Sequence, residues 1–114
     1  MLVVTRHRPA EGAAFVSAAR SALATLRAQP GCESAELVRD IDDGDTYLLV
    51  TRWQGVGNYR RALSSFDVKV AAVPVLASAI DDASAFEVLI SAEPDGLMEF
   101  TGDRAADADT ASPQ

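Results

Sequence analysis

The chain has 114 residues, 48% of them hydrophobic, and a formal net charge of −7, enough for one domain with a thin core and too little for two. Six acids and one arginine in residues 92–114 account for −5 of that charge, leaving −2 for residues 1–91 and no basic stripe to neutralise phosphates, so nucleic acid is excluded as a partner. No apolar run is long enough to span a bilayer, no basic amphipathic helix suits a membrane surface, and Met1 leads into Leu-Val-Val-Thr-Arg without a basic leader, so the expected compartment is the cytoplasm.

Leu2 to Arg8 alternates and is rich in Val and Thr, which predicts a first strand; Pro9-Ala-Glu-Gly12 closes it and opens a helix. From Ala13 to Ala28, Phe15, Leu23 and Leu26 share one helical stripe with Ala19 and Ala22. Pro30-Gly31 stops this helix. Cys32 to Arg39 resumes a period of two, and Asp40-Ile-Asp-Asp-Gly-Asp45 reads as a hairpin turn into a third strand, Thr46 to Trp53. After Gly55-Val-Gly57, Asn58 is positioned to cap a short helix carrying Tyr59 and Leu63, and Ser64-Ser65 separates it from a second helical piece running from Asp67 toward Val73. Pro74 ends or kinks that piece, and Asp81-Asp82 marks a turn. Ser84 to Ile90 predicts a fourth strand. The domain is therefore expected over residues 1–91. Residues 92–114 form an acidic, largely disordered tail in which Leu97, Met98 and Phe100 either float or latch onto a partner subunit as a short strand or hook.

The order strand, helix, strand, strand, helix, strand is that of an α+β, ferredoxin-like split β-α-β sandwich, with both helices on one face of an antiparallel sheet. Yet the strands are apolar on alternate positions of both sides: Leu49 and Trp53 against Leu48 and Val50, and Phe86, Val88 and Ile90 against Ala85 and Leu89. Leaving about six such side chains in water would forgo roughly 10 kcal/mol at 1.5 to 3 each. The open face therefore calls for a cover, and a second copy packed sheet to sheet is the simplest one.

Several motifs resolve into plain structure. Gly55-Val-Gly57-Asn-Tyr-Arg60 has the outline of a dinucleotide fingerprint, but Arg60 replaces its third glycine and no parallel β-α-β unit surrounds it. Asp40, Asp42, Asp43 and Asp45 cluster carboxylates, but a calcium loop starting at Asp40 would need glycine at 45 and glutamate at 51, where Asp45 and Thr51 stand. His7 is the single histidine and Cys32 the single cysteine, so no metal site is expected and no intrachain disulfide can form. Trp53 and Tyr59 remain: two amphipathic rings at one end of a sheet, either core filler or the wall of a site for a flat organic ligand.

The helix closing with Gln29-Pro-Gly31-Cys32, the hairpin, the strand end Leu-Leu-Val-Thr-Arg-Trp53 and Tyr59 six residues later resemble the antibiotic biosynthesis monooxygenase (ABM) superfamily over residues 1 to about 91. The resemblance implies a dimeric α/β barrel, which supplies the sheet-to-sheet partner. Members that oxidise polyketide anthrones or quinols without metal or flavin carry a Trp and a Tyr that match Trp53 and Tyr59, the implied catalytic pair. The same members place an Asn on the Trp strand and an Arg on the later helix, where this chain has Leu49 and Val73. Haem-degrading members need an Asn on the first strand and a His on the second helix; this chain has neither, its only His being His7 in the first strand.

The expected function is a homodimeric oxygenase, free of cofactor and metal, acting on a small electron-rich aromatic or quinol. Trp53 packs and hydrogen-bonds the ring, Tyr59 relays a proton or contacts a phenol, and Arg6, His7, Arg52 and Phe66 are further candidates for substrate contacts. The alternative is a dimer of the same fold that binds a small ligand, or serves under stress, without catalysis.

Overall fold

The computed structural model describes residues 1–80 and 85–101. The elements are β1 (Leu2–His7), α1 (Gly12–Arg27), β2 (Cys32–Arg39), β3 (Tyr47–Trp53), α2 (Val56–Ser64), α3 (Phe66–Ala71), α4 (Val73–Leu76), β4 (Ala85–Phe86), β5 (Ile90–Glu93) and β6 (Gly96–Glu99). The first four strands form an antiparallel sheet in the order β2-β3-β1-β4, the strand order of the ferredoxin-like sandwich, with the central register running from Leu2 opposite Arg52 to His7 opposite Tyr47. No helix among the described residues is long and apolar enough to cross a membrane.

Strand alternation sorts the two faces. Val3, Thr5 and His7 of β1 and Tyr47, Leu49, Thr51 and Trp53 of β3 are buried under the helices. Helix α1 meets them with Phe15, Ala19, Ala22 and Leu26, spaced four, three and four apart on one stripe. The two alanines are fully buried, so the helix sits close to the sheet, while Phe15 and Leu26 at either end each contribute about 1.5–3 kcal/mol by leaving water. Ala62, Val68, Ala72 and Val75 close the layer from α2, α3 and α4. On the other face Leu2, Val4, Leu48 and Val50 are half-buried, and Val38 and Phe86 are exposed at the flanks, with Arg6, Arg52 and Glu36 among them.

The structure departs from expectation in four places. Asn58 does not cap α2. Gly55 is its N-cap residue, and the Asn58 side chain lies against Gly31 instead. Ser65 is the capping residue of the region, its Oγ accepting the Val68 N–H at 3.2 Å, while Pro74 stands in the first turn of α4, where its missing N–H costs nothing.

The fourth strand stops at Phe86, because Phe86 already pairs with Leu2 and the chain beyond it runs past the start of β1. Finally, residues 90–99 form a hairpin of their own, crossing the boundary expected at residue 91. Pro94-Asp95 turns between Glu93 and Gly96, and Gly96, at φ +138°, takes the backbone conformation that Pro-Asp-Gly favours. The expected turn at Asp81-Asp82, the start of the fourth strand at Ser84 and the disordered last dozen residues lie outside the described residues.

The carboxylates between β2 and β3 serve their own loop. Asp40 accepts the N–H groups of Asp42 and Asp43 at 2.8 and 3.1 Å, and Asp43 accepts from Asp45 N–H and Thr46 Oγ1. Arg8 pairs with Asp43 and, with Thr46, holds its carboxyl below the usual carboxylate range. Among the described residues no group of three His, Cys, Asp or Glu side chains is placed to hold a metal.

Gly31 ties the α1–β2 turn to the end of β3. Its φ is +84°, its carbonyl accepts the Gln54 N–H at 2.8 Å, and a Cβ there would stand 2.3 Å from Asn58 Nδ2. Gly31→Ala should therefore destabilise the fold by about 1–3 kcal/mol through left-handed strain plus the clash. In an Asn58→Ala background the same change should cost less, since the close approaches to Nδ2 and Cγ are gone and only that to Cβ, at 2.7 Å, remains beside the strain. Urea denaturation of the four proteins gives the coupling, and an additive cycle would refute the contact.

Candidate functional site

Trp53 ends β3 and is 1% exposed. Its backbone is pinned between Met1, whose carbonyl accepts the Trp53 N–H at 2.8 Å, and the neighbouring Gly31 contact of Gln54. The indole N–H donates to Thr51 Oγ1 at 2.8 Å, two residues back on the same face. Tyr59, one turn into α2, lays its ring against the indole with centroids 5.4 Å apart and planes at 57°, a tilted aromatic pair. Tyr59 is half-buried, and burial pushes its phenol above the ordinary tyrosine value, so at neutral pH it is a hydrogen-bond donor and not a base. Leu49 lies on the same sheet face as Trp53, and Val73, at the start of α4, packs partly buried against the core.

The other candidate residues do not join this pair. His7 is opposite Tyr47, six residues along β3 from Trp53, on the order of 20 Å away at 3.3 Å per residue. Arg6 and Arg52 alternate with buried neighbours and so lie on the open face, across the sheet from both rings. Phe66 opens α3 and is 78% exposed, beside Thr25, Gln29 and Val70 on the outer surface of the helical layer. The structure thus unites Trp53 with Tyr59 and separates Arg6, His7, Arg52 and Phe66 from them.

At the far end of the buried face stands a polar chain that the sequence reading did not assemble. His7 is 1% exposed, with Phe15 5.0 Å away and Tyr47 beyond it at 5.4 Å, both as ring centroids. Ser78 Oγ donates to the Val75 carbonyl at 2.7 Å, so it accepts from His7 Nδ1–H at 2.9 Å; Nε2 is then the acceptor of the Thr5 hydroxyl at 2.8 Å. The ring is a neutral imidazole with both nitrogens engaged. Burial lowers its pKa, with the Ser78 contact opposing in part. One signal was present in the sequence: Thr5-Arg-His7 and Thr51-Arg-Trp53 repeat a threonine two residues before a ring nitrogen, and in a strand that spacing puts the hydroxyl on the ring's own face.

Because folding lowers the His7 pKa, the unfolded chain binds the extra proton, and this contribution to stability is complete above pH about 6.5 and lost as pH falls through the folded value. Thermal melts from pH 8 to 5 should show this decline for the wild type. A His7→Gln variant should start lower at pH 8 and vary less with pH; parallel curves for the two proteins would refute the assignment.

The antibiotic biosynthesis monooxygenase (ABM) family model matches residues 1–72. Among solved structures, a variant of SnoaB, a cofactor-independent oxygenase from Streptomyces nogalater, is similar at 25% identity and a TM-score of 0.60, covering 74% of this chain and 82% of that one. SnoaB itself is similar at 21% identity and a TM-score of 0.60, over 92% of this chain and 93% of that one. A conserved protein from Methanosarcina mazei Go1 is similar at 16% identity and a TM-score of 0.61, covering 74% and 84%. No curated protein sequence matches the chain. With more than half of its length matched by that family, and with the sheet order and the helical layer described above, this chain belongs to the antibiotic biosynthesis monooxygenase family.

Proposed function

We propose that this protein is a cofactor-independent monooxygenase of an electron-rich aromatic or quinol-like small molecule, working as a homodimer. The observation that carries this reading is the Trp53–Tyr59 pair: two tilted rings at the end of the sheet, one buried and one half-exposed, on a fold shared with a cofactor-independent oxygenase. A flat substrate stacks against the exposed side of Tyr59, with Trp53 as the rigid backing of that wall.

The chemistry asks little of the protein. An acidic phenol or anthrone loses a proton, and its anion transfers an electron to dioxygen. The resulting radicals combine into a peroxide at carbon, and O–O cleavage leaves one oxygen as a carbonyl and the other as water. For a methylene carbon the balance is one methylene and one dioxygen giving one carbonyl and one water, with every electron coming from the substrate. Tyr59, held protonated by burial, donates its O–H to the substrate oxyanion and steadies it. The indole N–H of Trp53 is already given to Thr51, so Trp53 acts through its ring face. His7 is too distant to be the base, and the substrate must be acidic enough to ionise on its own.

The open face is the proposed dimer surface. Leu2, Val4, Leu48, Val50 and Phe86 form a continuous apolar strip across three strands, and a second copy covers it by two-fold, sheet-to-sheet packing. Leu49 and Val73, where the family's oxygenases carry Asn and Arg, favour the rival reading of a ligand-binding dimer without turnover.

Oxygen uptake on a panel of anthrones and hydroquinones separates the two readings. Tyr59→Phe should lower the rate about 10²-fold, by analogy with loss of one oxyanion donor, and Trp53→Phe severalfold. A wild type and a Trp53→Phe, Tyr59→Phe double variant that both match the buffer rate would end the enzyme reading, and quenching of the single Trp by such ligands without turnover would establish the rival. Val50→Glu on the open face should convert the dimer to monomer in light scattering; a wild type that is itself monomeric at micromolar concentration would sink the pairing.

A further inference from the structure

The N-terminal end of α1 carries donors that the fold does not use. Glu11 is the N-cap residue, extended at φ −123° and ψ 100°, and its side chain makes no capping bond. The Phe15 N–H is the first to be taken, by the Glu11 carbonyl at 3.0 Å. The N–H groups of Gly12, Ala13 and Ala14 have no hydrogen-bond partner among the described residues. Unpaired donors at the positive end of a 16-residue helix suit an anion, although water alone can satisfy them.

Tyr47 adds a donor that an ordinary helix end lacks. The residue is 9% exposed, its ring held by Phe15 at a centroid distance of 5.4 Å. Its hydroxyl has no hydrogen-bond partner among the described residues, yet every buried side-chain oxygen there has one, so Oη itself reaches the surface. It does so at the first turn of α1, where a Cβ built on Gly12 would stand 3.1 Å from Oη. The Cα–Cβ bonds of a helix tilt toward its N-terminus, the direction in which the orphan N–H groups also point, so phenol and amides face one common space. Glycine at position 12 keeps that space open, since a Cβ there would press on Oη.

Charge decides the class of anion. The guanidinium of Arg8 is engaged by Asp43 and by Thr46 Oγ1, the latter at 2.8 Å. His7, opposite Tyr47 in the sheet, is neutral with both ring nitrogens engaged. Neither lends a free charge to this helix end, and the exposed Glu11 carboxylate adds a repulsive one. Neutral donors beside an acid hold a singly charged carboxylate better than a doubly charged phosphate, which feels that repulsion twice over.

We propose that the first turn of α1 and the Tyr47 hydroxyl form a binding site for a small carboxylate, one oxygen accepting the phenol O–H and the other the N–H groups of the turn. The site is separate from the Trp53–Tyr59 wall, since Tyr47 and Trp53 stand at opposite ends of β3, about 20 Å apart at roughly 3.3 Å per residue. It lies on the helical side of the sheet and depends on neither the oxygenase reading nor the pairing.

Amide NMR of the full-length protein, titrated with sodium acetate in exchange for sodium chloride at constant ionic strength, tests it. Acetate should shift the Gly12, Ala13 and Ala14 amides saturably. Tyr47→Phe, which removes only the hydroxyl, should weaken that binding about tenfold, as expected for a lost hydrogen bond to a charged group. Glu11→Gln, at an exposed position, should tighten it about threefold. Shifts that grow without saturation, or binding that is the same in Tyr47→Phe, would show an ordinary solvated helix end and overturn the site. Acetate binding that is unchanged or weaker in Glu11→Gln would overturn it as well, and decides the matter alone if Tyr47→Phe does not fold. Inorganic phosphate binding more tightly than acetate as its dianion would overturn the choice of a carboxylate.

Discussion

The alternation of side chains along β3 is the constraint on which the rest of the molecule depends. Tyr47, Leu49, Thr51 and Trp53 go under the helices, while Leu48, Val50 and Arg52 go to the other side. With a strict period of two, no rotation of the strand could bury both sets against a single helical layer. The first set selects what can lie on it. Large side chains from the sheet require small ones from the helix, and Ala19 and Ala22 of α1 meet that requirement with no exposed surface left. The second set is left half-covered, and a partner surface follows from that imbalance.

The same face that holds the core also carries polar groups, and their hydrogen bonds explain why they are tolerated there. Thr5 and Thr51 each stand two residues before a ring nitrogen on their own strand, so partners are local and arise from strand geometry. No buried side-chain nitrogen or oxygen among the described residues lacks a partner. Ser78 reaches His7 from beyond α4, and Ile80 N–H reaches the Arg6 carbonyl at 2.8 Å, so the end of the helical region is fastened to β1 by polar contacts rather than by packing. A neutral histidine with both nitrogens engaged is a structural member of that fastening.

The geometry at the opposite end is of another kind. Trp53 is held from both sides of its backbone and by its indole N–H, whereas Tyr59 stands on a short helix that begins at a glycine and has one ring face toward Trp53 and the rest of its side chain half-exposed. A fixed ring backing a more accessible one is a suitable wall for a planar ligand, since ordering it costs little conformational entropy. The charged candidates Arg6 and Arg52 lie across the sheet from this wall, and burial keeps the Tyr59 phenol protonated.

Residue pattern alone determined the order of the elements through β4, the stripe of α1 and the bounds of β2 from Cys32 to Arg39, because periodicity and Gly or Pro stops act over a few neighbouring residues. The Trp53–Tyr59 pairing was also legible, since a strand end followed by a tight turn leaves two rings six residues apart few places to go. The turn Pro94-Asp95-Gly96 announced a hairpin that was read as tail, because its acidic and small neighbours obscured the pairing. Only the tertiary structure decided that Asn58 packs on Gly31 instead of capping a helix, that β4 ends at Phe86, and that His7 binds Ser78, 71 residues away. It likewise decided which of Arg6, His7, Arg52 and Phe66 could meet Trp53, and none of them does. Such outcomes depend on sheet register and on contacts between segments far apart in the chain, and no local pattern encodes where a distant partner will stand.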